Sequence, residues 1–221
     1  MARNPEPFGR DPEATRKRIL AAAKHEFARY GLGGARVDRI ATKAKSNKRM
    51  LYHYFGNKES LFRRTLEDAY GEFRRAEADL NIEKDDPVTA MKRLVAFTWT
   101  YYLANPEFMT LVNSENLHKA KHIKSSKTMD DLNLPFVQRM EDLLKRGAKA
   151  GVFRPRLDAV QILVTVSGLG FHYLNNRYTG AVVYGRDLMS KDALAKRGVF
   201  NMHAMLRIVC KPEALARLED N

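Results

Sequence analysis

The 221-residue chain carries 39 lysines and arginines against 26 acidic residues, a net charge of +13. Residues 1–65 hold 16 of the basic and 6 of the acidic residues, a net +10, so we expect a polyanionic partner for the first third of the chain. The single cysteine, Cys210, excludes an internal disulfide. The first 18 residues hold five basic residues among prolines and acids and contain no apolar h-region, so we predict no signal peptide and a cytoplasmic location.

The first twelve residues, MARNPEPFGRDP, hold three prolines and a glycine and show no apolar periodicity. They predict a disordered basic arm over residues 1–12. From Glu13 onward, apolar residues recur at helical spacing as far as Gly31, which predicts a helix that ends at that glycine and supports the helices after it.

Residues 37–58 have the pattern of a helix-turn-helix. An apolar stripe at i, i+3, i+4 and i+7 predicts a first helix, and it consists of Val37, Ile40, Ala41 and Ala44. Residues 45–47 interrupt the stripe, and a second one follows with Met50, Leu51, Tyr54 and Phe55. In this layout the second helix is the one presented to the major groove of DNA.

Polar side chains occupy the outer side of that second helix. Lys48 and Arg49 can neutralise phosphates, and Arg49 can also bond bidentately to guanine. Asn47 can cap the helix or reach a base edge, whereas Tyr52 and His53 offer further donors. The turn at residues 56–59 starts another helix, whose N-terminus and Lys58 form an anion site. A solvated charged face is the alternative interpretation, but the spacing favours DNA contact.

Two segments resemble the DNA-binding domain of the tetracycline-repressor (TetR) family of bacterial transcription regulators. They are the run LYHYFGNKE at residues 51–59, preceded by Ile40, Ala41 and Ala44, and the run FARYG at residues 27–31. The resemblance covers about residues 13–65. It implies an all-α fold, with a three-helix helix-turn-helix head and a larger helical body for regulation and dimerisation.

The sequence departs from the family pattern at three sites, which together comprise five residues. The turn position usually held by glycine is Lys45, which must take a left-handed conformation or reshape the turn. The usual Thr and Ser/Thr before the first helix are Ala35 and Arg36, so a neutral cap is lost and a phosphate ligand is gained. The usual Gly-Thr of the recognition helix is Arg49-Met50.

The rest of the chain predicts further helices. We expect them over about 59–80, 88–104, 106–118, 133–150, 158–178 and 191–210, with irregular structure at 119–130 and a long loop at 179–190. Residues 159–176 lack a formal charge, but interspersed polar residues favour a buried interface helix over a membrane span. We therefore predict domains at 13–58 for DNA binding and at 59–221 for ligand binding and dimerisation, with no membrane partner.

The last two long helices are expected to dock on a second copy as a four-helix bundle. The residues predicted at this homodimer interface are Ser167, Gly168, Leu194, Met202, Leu206 and Val209. Dimerisation matters because two recognition helices about 34–36 Å apart can address a palindrome.

The resemblance implies a regulatory small-molecule pocket in the body, and the mixture of aromatic and polar residues on apolar helices is typical of one. Its expected lining is Trp99, Tyr102, Met109, Asn113, Asn116, Phe171, His172 and Asn175. Ordinary core packing is the alternative for each of them. Glu115, His118 and His122 have metal-ligand spacing, but a di-iron site needs a second Glu-x-x-His. We predict neither a metal nor another cofactor, and no catalytic motif appears.

The resemblance, together with these patterns, implies a ligand-responsive transcriptional regulator, most simply a repressor, that binds a palindromic duplex operator as a homodimer and is released by a small molecule. Two alternatives stay open. One is an all-helical metal-binding protein or enzyme that is basic by chance, and the other is a non-specific architectural DNA binder.

Overall fold

The structure is a computed structural model that describes residues 11–124 and 126–219. All regular elements within these ranges are helical, as the sequence predicted, and one isolated bridge joins Phe153 to Cys210. A 3-10 turn at Ile82–Lys84 precedes α5. The α-helices are α1 (Pro12–Gly34), α2 (Val37–Lys43), α3 (Lys48–Phe55), α4 (Lys58–Ala78), α5 (Pro87–Ala104), α6 (Pro106–Leu117), α7 (Lys127–Lys149), α8 (Ala159–Asn175), α9 (Arg177–Tyr184), α10 (Lys191–Val209) and α11 (Pro212–Glu219).

The chain forms two compact units. The described residues up to Ala69, together with Thr110–Ser126, form the first unit, and Tyr70–Met109 with the residues from Lys127 onward form the second. The first unit therefore extends beyond the predicted boundary at residue 58. The reason is that α4 and α6 are continuous helices that each contribute residues to both units.

The first unit is built around α1. Its buried residues Ile19, Ala23 and Phe27 recur at helical spacing, and Phe27 packs edge-to-face on Phe62 of α4, with ring centroids 5.0 Å apart. Gly31 interrupts α1 with φ 63° and ψ 177°, so the regular helix ends where the sequence predicted. The predicted arm over residues 1–12 lies largely outside the described residues, but its last two residues are structured. Asp11 caps α1 and Pro12 is its first residue.

The second unit has one apolar core, formed by α5, α7, α8 and α10. Met91, Leu94 and Val95 of α5 are almost fully buried, which agrees with the nearly all-round apolar sequence of that helix. Asp86, Asp158 and Ser190 accept hydrogen bonds from backbone amides at the starts of α5, α8 and α10. None of the described helices has the length and apolarity needed to cross a bilayer.

Three predictions about the second unit were wrong. The segment predicted to be irregular, residues 119–130, ends early because α7 already begins at Lys127. The buried side chain of Met129 packs this otherwise polar first turn against the protein. Half of the predicted loop at residues 179–190 is helix α9, which ends at Gly185 in a left-handed conformation. The sequence analysis also missed α11, which starts at Pro212.

Candidate nucleic-acid interface

The turn between α2 and α3 is made without glycine. Lys45 adopts the left-handed conformation, with φ 50°, so the first of the two alternatives for this residue is the one observed. The Ser46 amide donates to the Ala41 carbonyl at 2.9 Å, and the Arg18 side chain reaches the Ala44 carbonyl at 3.4 Å. These bonds fix the direction in which the chain enters α3.

Glu26 of α1 stabilises the start of α2, a role that the sequence analysis did not assign. Arg36 precedes α2 and gives it no side-chain cap, as expected from the loss of the usual Ser or Thr. Instead, the buried Glu26 carboxylate accepts the Arg36 amide at 2.9 Å and the Arg39 Nε at 2.7 Å. Burial alone would raise the pKa of Glu26, but these hydrogen bonds outweigh it and hold the pKa below its ordinary value.

The same cluster orders the side of α2. The Arg39 guanidinium lies over the Tyr30 ring, 4.3 Å from its centroid, and also donates to the Gly34 carbonyl at 3.0 Å. Arg39 therefore joins α2 to the end of α1. Glu26 lies ten residues before Arg36, the N-cap position of α2. The sequence therefore gives no local sign that Glu26 caps that helix.

Helix α3 buries one face and exposes the other. Leu51 and Phe55 lie in the core of the first unit, and the Asn47 side chain caps the helix by accepting the Met50 amide at 2.9 Å. Arg49, Tyr52 and His53 are exposed, with Tyr52 45 % exposed. The helix therefore presents a polar, basic outer face on a fixed support, which is the geometry that direct readout of base edges requires.

Two lysines predicted to contact phosphate already have partners. Lys48 forms an ion pair with Asp38 of α2 at 2.6 Å, and this hydrogen bond raises the pKa of Lys48. Lys58 donates to the carbonyls of Ala35 at 2.9 Å and Gly33 at 3.4 Å. Lys58 thus ties α4 to the carbonyl end of α1, where a positive charge is favourable. Asn57 caps α4 by accepting the Ser60 amide at 2.7 Å.

The predicted ligand-binding residues are divided between the two units. Asn113 and Asn116 belong to the first unit, whereas the other six belong to the second. Trp99, Tyr102 and Met109 are buried, and a Cβ added at Gly170 would lie 3.2 Å from the Tyr102 ring, so these side chains pack against neighbouring helices. Phe171 packs edge-to-face on Tyr102. His172 and Asn175 are exposed on α8.

The candidate metal ligands form a different contact from the one their spacing suggested. Glu115 pairs with His122 rather than His118, and its Oε2 lies 2.7 Å from His122 Nδ1. The other Glu115 oxygen accepts the His122 amide at 2.7 Å. Across residues 11–124 and 126–219, no group of three or more His, Cys, Asp or Glu side chains is placed to hold a metal ion. The pair fixes the segment that follows α6.

The predicted dimer residues on α10 face the wrong way for that role. Leu206 and Val209 are 5 % and 0 % exposed and belong to the core of the second unit, against which Met202 also packs. The sequence analysis assigned to the dimer interface an apolar stripe of α10 that instead faces the core of the second unit. The exposed large apolar residues of α10 are instead Val199, Phe200 and Ile208, and the first two are each 57 % exposed.

On α8 the outward residues include one of the two predicted. Gly168 is exposed, and a Cβ added there would meet open space. It continues the stripe of Val160 and Val164, which are 50 % and 61 % exposed. Ser167 is half-buried and hydrogen-bonds Tyr102. Leu194 is half-buried on the first turn of α10.

Comparison with known proteins supports the interpretation of both halves of the chain. Residues 19–65 match the family model for bacterial regulatory proteins of the tetR family, and residues 87–204 match that for the tetracyclin repressor-like C-terminal domain. The HTH-type transcriptional repressor NicS of Pseudomonas putida is 38 % identical over 183 residues, which cover 83 % of this chain and 86 % of NicS.

Solved structures share the fold. SCO4942 of Streptomyces coelicolor is 25 % identical, with a TM-score of 0.67, and the match covers 88 % of this chain and 98 % of that one. The fatty acid degradation regulator FadR of Bacillus halodurans is 20 % identical with a TM-score of 0.67, over 92 % of this chain and 97 % of its own. The matched families and NicS are regulators of transcription rather than enzymes. The chain belongs to the TetR family of transcriptional regulators.

Proposed function

We propose that this regulator represses transcription by binding a palindromic operator as a homodimer, and that a small molecule bound to the second unit releases it. The observation that carries the DNA-binding part is the outer face of α3, where Arg49, Tyr52 and His53 are exposed while Leu51 and Phe55 anchor the helix. A rigid helix with an exposed arginine suits hydrogen bonding to guanine in the major groove.

We assign different roles to the seven proposed DNA-contacting residues. Arg49, Tyr52 and His53 carry base contact, and the Asn47 amide nitrogen stays available because its oxygen is the cap acceptor. Exposed Arg36 meets the phosphate backbone. Lys48 and Lys58 add positive charge, but their contact with Asp38 and with carbonyls makes positioning α3 and α4 their first task.

The outward stripes of α8 and α10 support the homodimer. The two helices are bound to each other, since Arg197 of α10 donates to the Leu169 carbonyl of α8 at 2.9 Å. Each exposes large apolar residues that a second copy would cover, namely Val160 and Val164 on α8 and Val199 and Phe200 on α10. A twofold pairing of such faces is the usual isologous arrangement.

Release requires coupling between the two units. Helix α4 supports it, because this single helix contributes Lys58 to the first unit and Tyr70 to the second, so a displacement at one end is transmitted to the other. A coupling free energy of about 1–3 kcal/mol would change operator affinity roughly 5- to 150-fold.

Selection of bound duplexes from a random DNA library tests the proposal. We expect enrichment of one palindromic sequence and a complex whose mass corresponds to two chains for each site. Enrichment of no sequence, with binding that depends only on salt, would instead indicate a non-specific architectural binder. Replacing Arg49 with Ala should relax the selected sequence at one position in each half-site, whereas the matched variant Arg29→Ala in α1 should leave it unchanged.

A further inference from the structure

A groove between α8, α9 and α10 has the size and lining of a small-molecule site. It encloses about 620 Å³, within the range of about 300–1,000 Å³ that is usual for ligand pockets. Its apolar wall includes Tyr173, Val183, Tyr184 and Leu188, and its cations are Arg186 and Arg197. Of the residues predicted from sequence to bind a ligand, it contains only His172.

The groove wall is held in place by defined contacts. Gly185 ends α9 in a left-handed conformation, and the Arg186 amide then donates to the Ala181 carbonyl at 3.2 Å. The Tyr173 hydroxyl donates to the Leu188 carbonyl at 2.9 Å, which binds the following segment to α8. A Cβ added at Gly180 would lie 2.8 Å from Leu188 Cδ1, so a larger residue there would require the Leu188 side chain to shift.

Arg197 is a half-buried cation without a carboxylate partner among the described residues. Its Nη2 donates to the Leu169 carbonyl, whereas its Nε is buried and has no hydrogen-bond acceptor. The guanidinium lies 5.0 Å from the centroids of both the Tyr173 and Phe200 rings, which fixes its plane. Burial lowers the pKa of Arg197. Removing a cation from water without an anion is unfavourable, so a bound anion would stabilise this arrangement.

The neighbouring charges leave that anion position open. Arg186 also lines the groove and forms no ion pair with a carboxylate of the described residues. Asp187 and Asp192 line an adjoining groove that shares Arg186 and Arg197 with this one, but Asp192 forms an ion pair with Lys196 at 2.7 Å and Asp187 accepts the Met189 amide at 2.8 Å. Two arginines beside tyrosine rings match a ligand with a planar carboxylate on an apolar body, because a guanidinium binds a carboxylate through two parallel hydrogen bonds.

We propose that the groove between α8, α9 and α10 binds an aryl or branched-alkyl carboxylate, whose anionic group is held by Arg197 and Arg186. This inference deepens the proposed function, since it supplies a site and a chemical class for the effector. Binding to the groove does not itself depend on DNA binding, so the two claims can fail separately.

The test uses benzoate and its neutral isostere benzamide on the purified full chain. Trp99 is the single tryptophan, and its ring lies 5.8 Å from that of Tyr173 in the groove wall, so its fluorescence reports occupancy. We expect a saturable change with benzoate in the millimolar range and at least about tenfold weaker binding of benzamide. No saturable change with benzoate up to about 10 mM, or equal binding of both probes, would overturn the inference.

Variants locate the site. Arg197→Gln should abolish the preference for benzoate, and Arg186→Gln should weaken it. Because Arg186 is exposed, its replacement should not disturb folding, so this variant tests the site even if Arg197→Gln fails to fold. The matched control is Lys191→Gln, which removes one charge from an exposed position at the start of the same helix that lines neither groove, and it should keep the preference. A preference retained in Arg186→Gln and in folded Arg197→Gln would refute the assignment. If benzoate binds but operator affinity stays unchanged, the groove is supported and its role as the trigger for release is refuted.

Discussion

Glu26 offers the sharpest test of how the first unit positions its DNA-facing helix. Glu26→Gln keeps the size of the side chain but removes the charge that accepts the Arg36 amide and Arg39 Nε. A hydrogen bond to a charged group contributes about 1.5–3 kcal/mol and a neutral one about 1 kcal/mol, so the amide bond alone should lose about 1 kcal/mol. The Arg39 side chain is 41 % exposed, so water screens its ion pair with Glu26, and losing this pair adds little to the loss of stability.

The stabilisation by Glu26 depends on pH, and its direction follows from the lowered pKa of this carboxyl. Because the folded-state pKa of Glu26 is depressed, its contribution is fully present above the unfolded-state value near 4.5 and is lost as the pH falls through the folded value. We therefore expect the free energy of unfolding of wild type to exceed that of Glu26→Gln by a constant amount around neutral pH. The difference should disappear as the pH falls through the folded-state pKa.

The assay is hydrogen exchange of the α2 amides, which reports local stability in the first unit. Glu26→Gln should speed exchange at Ile40 and Ala41 about fivefold at pH 7, as about 1 kcal/mol implies. The matched control, Glu13→Gln, removes an exposed carboxylate on the same helix and should leave the exchange rates of the α2 amides unchanged. Equal protection of α2 in wild type and Glu26→Gln at neutral pH would refute the role of Glu26 as the cap.

Three further predictions concern the turn, the core and the dimer face. Lys45→Gly should stabilise the first unit by about 1 kcal/mol, because glycine takes a positive φ without strain; a loss of thermal stability would contradict this. Leu206→Ala should cost about 2–5 kcal/mol of unfolding free energy in urea, whereas exposed Val199→Ala should cost far less, and similar losses would contradict the corrected register of α10. Val164→Asp should yield folded monomers in analytical ultracentrifugation, with Ala96→Asp, at an exposed position of α5, as the control; unchanged dimers would exclude the α8 stripe from the interface.

Local patterns predicted the helix-turn-helix well, because α2 and α3 are short and amphipathic and the residues that define them are close in sequence. The stripes at Val37–Ala44 and Met50–Phe55, the end of the first helix at Gly31 and the cap at Asn47 all depend on residues within a few positions of each other. Glu26 was missed because its partners lie ten and thirteen residues away, and no periodicity connects them.

The second unit shows where periodicity loses information. Helix α10 has apolar residues on its inward and outward sides, so a stripe containing Leu206 and Val209 could be read either as core or as interface. Only the positions of α5 and α8 decide between them. The groove arginines were equally hidden, because Arg186 and Arg197 become neighbours only after α9 folds where a loop was expected.

The most direct measurement of the central claim is guanine methylation interference on the selected duplex, because N7 methylation blocks hydrogen bonds in the major groove. If α3 reads base edges from two copies, interference should appear at guanines in two symmetric half-sites whose centres lie about 34–36 Å apart, and it should vanish at one position in each half-site for Arg49→Ala. Tight binding without interference at any major-groove guanine, and with the same pattern in Arg49→Ala, would contradict the assignment of α3 as the reading helix.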